Sequence, residues 1–330
     1  MSPAPRRILL LGATGTIGRA TAHALVDCGH EVVCFVRPRL ADASSRGAEL
    51  GLPDGAIVRY GDVTAPDSLN RDGFCGERFD VVVSCIASRT GVPVDAWSID
   101  HDANLSVLQL AQRSGVTQFV LLSAICVQKP KLAFQQAKLA FENALIASGL
   151  TWSIVRPTAF FKSLSGQIER LRRGRPFLVF GDGRLTACKP ISDADLARYI
   201  AGCIDDPERH NRVLPIGGPG DPVSPLEQGE HLFALFEKPP KFRHVPVALL
   251  DAIIWTMSVL GRLSPKLAAK AELARIGRYY ATESMLVLDP VTGRYDAGAT
   301  PSFGTETLFD FYDRLVRGEV SVDRGDHAVF

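Results

Sequence analysis

The sequence predicts an α/β fold: a doubly wound parallel sheet joined to a smaller, mainly helical C-terminal substrate lobe. Three observations predict it. A glycine turn directly follows an apolar run near the amino terminus, and short apolar runs alternate with helical patterns up to residue 160. Beyond Phe160 the pattern loosens and is punctuated by Pro and Gly. The expected division is 1–160 for the sheet domain and 161–330 for the lobe, with some strands and helices of the lobe returning to the sheet. A chain of 330 residues can bury a core in each.

The run Ile8 to Leu11 reads as a buried strand, and Gly12-Ala13-Thr14-Gly15-Thr16-Ile17-Gly18 as the turn that leaves it. Gly12 lets the backbone turn sharply, Gly15 lets it approach a pyrophosphate, and Gly18 lets the next helix pack on the sheet. Thr14, Thr16 and Ile17 complete this Rossmann-type cradle, in which free amides and the positive helix end face an anion. Ile17, Ala20, Ala24 and Leu25 keep helical spacing after it. Glu31 to Val36 reads as the second strand. An NAD site places Asp or Glu at its end, but this chain has Arg37, and Arg39 two residues later. A guanidinium pairs with a 2′-phosphate, so NADPH is the expected cofactor; the alternative is a solvated loop charge.

Ile57 to Tyr60 reads as the third strand, ending at Gly61-Asp62-Val63, and Asp80 to Ile86 as the fourth. Gln118 to Ser123 and Thr151 to Arg156 read as the fifth and sixth. Helices are expected near Ala96 to Ser114 and Pro130 to Ser148, ended by Gly115 and Gly149. Ligands of such sheets bind beyond the carboxyl ends of the strands. Asp62, Val63, Cys85, Ala87, Ser88, Ser123, Pro157, Thr158 and Phe160 fall at those ends and are expected to line one cleft. Asp62 either accepts from the adenine amino group or caps a turn; Ala87 and Ser88 leave room for a ribose. Further on come a basic helical pattern near Gln167 to Arg173, the run Phe177 to Phe180, a Gly181-Asp182-Gly183 turn and a helix from Asp193 to Asp205. Pro215 to Pro225 and Pro239-Pro240 mark connections.

Lys and Arg number 37 against 36 Asp and Glu, a net charge of +1 with no block of either sign, so nothing favours nucleic acid. The seven cysteines are scattered, with no CxxC pair and no metal-finger spacing. They read as reduced residues of a cytoplasmic protein, with no metal site and no iron-sulfur frame. Only a handful of residues precede the first strand, so no signal or transit peptide is expected. The apolar stretch from Val245 to Leu260 is interrupted by Asp251 and bracketed by Pro246 and Gly261. It falls short of the roughly 20 residues a bilayer needs, and reads as a buried or interfacial helix. Arg262, Lys266, Lys270, Arg275 and Arg278 follow it and suit a helix pair against anionic headgroups. The alternative is an ordinary apolar helix covering the substrate cleft.

Lys138 falls on the helix after the fifth strand. The common arrangement there is a Tyr and a Lys four residues apart, the Lys holding the nicotinamide ribose and lowering the Tyr pKa so that the phenol donates a proton. This chain reads Phe134-Gln135-Gln136-Ala137-Lys138. The phenol is missing, and carbonyl acid-base chemistry loses its donor.

Through Gly12 to Gly18 and Arg156-Pro157-Thr158-Ala159-Phe160-Phe161-Lys162-Ser163, the chain resembles the atypical, extended-type short-chain dehydrogenases. Phe134 with Gln136 to Glu142, Phe180 to Gly183, Lys189 to Ser192 and Tyr279 to Met285 with the Asp289-Pro290 turn make it most similar to the divinyl chlorophyllide 8-vinyl-reductases. The resemblance implies NADPH-dependent reduction of a vinyl group on divinyl chlorophyllide or protochlorophyllide, with contact at a photosynthetic membrane. A conjugated ring delocalises the charge left by hydride addition, which suits the missing phenol. It also implies Lys138 as the catalytic-site lysine and Phe134, Phe161, Lys162, Trp255 and Tyr279 as substrate-binding residues, with the proton coming from Lys162, Tyr279 or water. An iron-sulfur and flavin counterpart of this reductase is excluded by the scattered cysteines. Two alternatives stay open: a dinucleotide-binding redox sensor of the nitrogen-control repressor type, and a phenylpropanoid double-bond reductase.

Overall fold

The computed structural model describes residues 4–38, 50–262 and 264–321, so Arg39 lies outside the described residues. The chain forms two compact units. The first runs from the amino terminus to Ser88 and adds Pro93–Pro157 and Asp193–Pro215; the second holds Arg89–Val92, Thr158–Ser192 and the chain from Ile216 on.

In chain order the strands are β1 (Arg7–Leu11), β2 (Glu31–Val36), β3 (Ile57–Tyr60), β4 (Val81–Ser84), β5 (Gln118–Leu122), β6 (Thr151–Pro157), β7 (Phe177–Phe180), β8 (Arg212–Ile216), β9 (Phe242–Val245), β10 (Val287–Leu288) and β11 (Tyr295–Asp296). Seven of them make the main sheet, in the order β3-β2-β1-β4-β5-β6-β8. β1 pairs in parallel with both β2 and β4, Leu11 standing opposite Phe35 on one side and Ser84 on the other. The strand order therefore reverses between β1 and β4, which is where open α/β sheets bind their ligands. Ile8, Leu9, Leu10 and Leu11 are all buried, so both faces of β1 are covered, as a central parallel strand requires. Leu9, Val33, Val82, Phe119 and Ile154 share a core with Phe141 and Leu145 of the helix Ala133–Ile146.

Several expectations shift in detail. The first helix, Thr16–Asp27, buries Ile17, Gly18, Thr21, Ala22 and Leu25; Ala20 and Ala24 are only half-buried, because the packed face is turned by about one residue. β4 stops at Ser84, leaving Cys85 to Ser88 as open backbone beyond its end. The single helix expected from 96 to 114 is three pieces: Pro93–Ala96, a π-helical turn Trp97–Ala103, and Asn104–Arg113. Asn104 pins that turn, its Nδ2 donating to the carbonyls of Ile99 (3.3 Å) and Asp100 (3.2 Å) while its Oδ1 accepts from Ser84 Oγ (2.7 Å). Such wide turns inside helices gather at functional sites. β8 was not expected, because Pro215 sits in it; a strand at the sheet edge tolerates the missing N–H.

In the second unit β7 pairs in parallel with β9. Phe161, Ile168, Leu171, Phe177, Val179, Leu232, Phe233, Leu308 and Tyr312 form its core. Tyr312 is fully buried and donates its hydroxyl to the Leu164 carbonyl at 2.8 Å. The helices Val247–Gly261 and Pro265–Thr282 follow each other as a hairpin. The first of them has no buried residue, which rules out the buried form of the expectation. No helix among the described residues is long and apolar enough to cross a membrane.

Candidate cofactor and active site

The turn after β1 is built almost wholly from backbone. Gly12 takes φ +77°, and a Cβ there would lie 2.6 Å from the Cys85 carbonyl oxygen, so β1 and β4 close on each other at this point. A Cβ on Gly18 would lie 2.1 Å from the Gly12 oxygen: the helix packs directly on the turn. Gly15 differs, with an added Cβ meeting only that same oxygen, at 3.3 Å, and open space otherwise. Its amide donates to the Gly12 carbonyl at 3.0 Å. The helix that starts at Thr16 has no side-chain cap and no acidic residue in its first turn. Its amino terminus thus presents free backbone amides and the positive end of the helix, of the kind that holds a pyrophosphate, and the residues present fit a dinucleotide. Thr14, Gly15 and Thr16 are exposed and Ile17 is buried beneath them.

Arg37 is exposed just past β2. Asp62, just past β3, accepts at Oδ1 from the amide (2.9 Å) and hydroxyl (2.7 Å) of Thr64, so it caps a turn. Partial burial by itself would raise this carboxyl, but those two hydrogen bonds and the Arg37 guanidinium hold it below the usual carboxylate range. Arg37 is therefore close enough to Asp62 to favour its ionised form. Val63 beside them is half-buried. Beyond β4, burial of the Cys85 thiol pushes it up to about 12, while Ala87 is exposed and Ser88 half-buried.

Lys138 is not a surface lysine. Its Nζ lies 2.9 Å from Asp100 Oδ1, with side-chain exposures of 12% and 0%. The Ser88 amide also donates to Oδ1, at 3.3 Å, whereas Oδ2 is buried with no partner. Phe134 stands one turn earlier on the same helix and is half-buried. Ser123 is buried and donates to Glu142 Oε1, and Glu142 is in turn held by Arg156. Sequence reasoning missed Asp100, Glu142 and Arg156 as parts of the site. The only local signal was the i, i+4 spacing of Lys138 and Glu142.

Pro157 closes β6 in the first unit. The remaining candidates belong to the second. Thr158 donates its hydroxyl to the Lys189 carbonyl, and its amide donates to the Ile216 carbonyl at 3.0 Å. Phe160 bridges to Ile191. Phe161 is a core residue, its ring 5.2 Å from that of Phe311. Lys162 is half-buried and Tyr279 buried against Tyr280. Trp255 is 70% exposed. Among the described residues no cluster of His, Cys, Asp or Glu is arranged to hold a metal.

The profile of a family described as NAD(P)H-binding matches residues 12–207, from the glycine turn onward. The chain is 46% identical over its whole length to the chloroplastic divinyl chlorophyllide a 8-vinyl-reductase of Oryza sativa subsp. indica, covering 84% of that protein. It is 47% identical to the Zea mays protein of the same name over 98% of this chain and 82% of that one. The chain belongs to the divinyl chlorophyllide a 8-vinyl-reductase family. A divinyl chlorophyllide a 8-vinyl-reductase relationship over the full chain outweighs the sensor and phenylpropanoid alternatives. Among solved structures, the leucoanthocyanidin reductase of Vitis vinifera in complex with NADPH superposes with a TM-score of 0.68 at 17% identity, covering 94% of this chain and 99% of that one. That likeness establishes the shared fold.

Proposed function

We propose that the protein reduces the 8-vinyl group of divinyl chlorophyllide, or of the corresponding protochlorophyllide, to ethyl with NADPH. The observation that carries the reading is the helix around Lys138: a lysine held on the buried Asp100, with a phenyl ring where a carbonyl reductase needs a phenol. When bound, NADPH supplies the hydride. Backbone amides of Gly12 to Gly18 would hold the pyrophosphate, Arg37 the 2′-phosphate, and Asp62, Val63, Cys85, Ala87 and Ser88 the adenosine half. Lys138 would hold the nicotinamide ribose hydroxyls, and Asp100 holds its ammonium in place at 2.9 Å. Phe134 excludes water there and offers no proton, which a conjugated vinyl group tolerates because the macrocycle spreads the charge that hydride addition leaves. Orienting the reactants is then the main task of the chain. The reading keeps the expected cytoplasmic location.

Incubation of the purified protein with NADPH and divinyl chlorophyllide tests this. The expected result is a blue shift of the Soret band, with deuterium from C4-labelled NADPH found in the new ethyl group. Tight NADPH binding with no consumption of NADPH on any divinyl tetrapyrrole would replace the reading with the redox-sensor one.

A further inference from the structure

The hairpin of helices Val247–Gly261 and Pro265–Thr282 presents an apolar face that nothing in its own unit covers. In the first helix Leu249 is 51% exposed, Trp255 70%, Val259 44% and Leu260 46%. With Ala248, Ala252 and Thr256, also exposed, they recur three or four residues apart and form one stripe along the helix. The other side packs antiparallel on its partner. Arg278 pairs with Asp251, Arg275 donates to Ser258 Oγ at 2.7 Å, and a Cβ on Gly261 would lie 3.0 Å from the Ala268 backbone. The partner helix is anchored in turn by its buried Ala271, Ile276, Tyr279 and Ala281.

Charge singles out the same hairpin. Residues 247–282 hold five Lys and Arg but only two acids, in a chain whose net charge is +1. Both acids are paired inside the hairpin, Asp251 with Arg278 and Glu272 with Arg275. Lys266 and Lys270 are exposed, share one face of the second helix with Leu273, and Arg262 stands at the turn. An exposed apolar stripe carrying a Trp and bordered by unneutralised cations matches the headgroup layer of an anionic bilayer. A second copy of the chain fits poorly, because a twofold contact through this face would bring two basic hairpins together.

We propose that this hairpin docks the protein on an anionic membrane surface, the Leu249–Leu260 stripe lying among the headgroups and upper acyl chains and the lysines pairing with lipid phosphates. Co-sedimentation of the full-length protein with large vesicles tests it. Binding is expected to vesicles of phosphatidylcholine with about one-third phosphatidylglycerol, and not to phosphatidylcholine alone. High salt should release it. The double variant Lys266→Gln/Lys270→Gln should weaken partitioning about 25-fold, at about fivefold per cation near an anionic surface. Leu249→Ser/Leu260→Ser should abolish binding. Both variants should keep wild-type circular dichroism and NADPH affinity. Equal binding to neutral and anionic vesicles, no binding to either, or unchanged binding by both variants would overturn the proposal. So would a dimer in solution that either variant splits, or a raised KM for pigment in vesicle-free buffer with vesicle binding intact.

Discussion

The glycine turn at Gly12 to Gly18 and the Asp100–Lys138 pair are both fixed in place within the sheet unit, but by opposite means. The turn is held by close backbone approach, with carbonyl oxygens where Cβ atoms would stand. The pair is held by charge, a fully buried carboxylate against the ammonium of a lysine side chain that is 12% exposed. A backbone cradle tolerates changes in charge around it and fails on a single added methyl. A buried ion pair tolerates methyl groups and fails on the loss of one charge, because the survivor is left without a counterion. The same unit thus offers two modes of failure that separate experiments can distinguish.

The largest effect is expected at the turn. Gly18→Ala places a methyl carbon against the Gly12 carbonyl and should destabilise the protein by about 3 kcal/mol in denaturant titrations. Gly15→Ala meets only the Gly12 oxygen, at 3.3 Å, and has an ordinary φ of −74°, so its stability should stay within about 1 kcal/mol of wild type while NADPH binding weakens. Equal stability losses would break the backbone side of the comparison. Next comes the pair: Asp100→Asn and Lys138→Met should each lose about 3 kcal/mol, and the double variant less than their sum. Strict additivity would mean that the charges do not support each other. Lys138→Met should also slow vinyl reduction at every pH without removing a limb of the pH profile; loss of a limb would make Lys138 the proton donor.

Smaller effects test the surroundings. Arg37→Ala should weaken NADPH by about 1.5 kcal/mol more than NADH, the lower end for a charge-assisted contact because Arg37 is exposed. Equal weakening in a fluorescence titration would remove it from the phosphate. Phe134→Tyr should neither raise vinyl reduction nor create reduction of small ketones, as measured by NADPH consumption. The smallest expected effect concerns the thiols. At pH 8 iodoacetamide should label the exposed Cys28 and Cys75 and leave Cys34, Cys85 and Cys188, whose burial pushes each up to about 12, unmodified in mass spectra.

The cradle was legible in the sequence because it is local: strand, glycines and helix follow one another within a dozen residues, and β2 and β3 fall on their expected bounds. Asp100 was not, since its partner lies 38 residues away and an acid in a helical stretch reads as a surface charge. Asn104 hid the π-helical turn in the same way, through a contact with Ser84 that no window of sequence contains. Pro215 concealed β8, as a proline argues against a strand unless its edge position is known. The run from Val245 to Leu260 left a buried and an interfacial helix open, and only the buried form is lost, since the helix Val247–Gly261 has no buried residue. Apolar character on all sides of a helix does not say which side a neighbour covers.

Lys138 and Glu142 stand four residues apart with opposite charge, a spacing at which they would pair with each other on an isolated helix. Here each is taken by a different neighbour, Lys138 by Asp100 in the π-helical turn and Glu142 by Arg156 on β6, with Ser123 beyond β5 joining the second contact. The helix Ala133–Ile146 is therefore pinned like a beam at two points a turn apart, and it can neither roll nor slide without breaking a buried contact. A pull on the lysine at one pin is carried along a stiff rod to the strand at the other. Amides of this helix should accordingly exchange with solvent only when the whole unit opens, leaving the motions of a working cycle to less constrained segments.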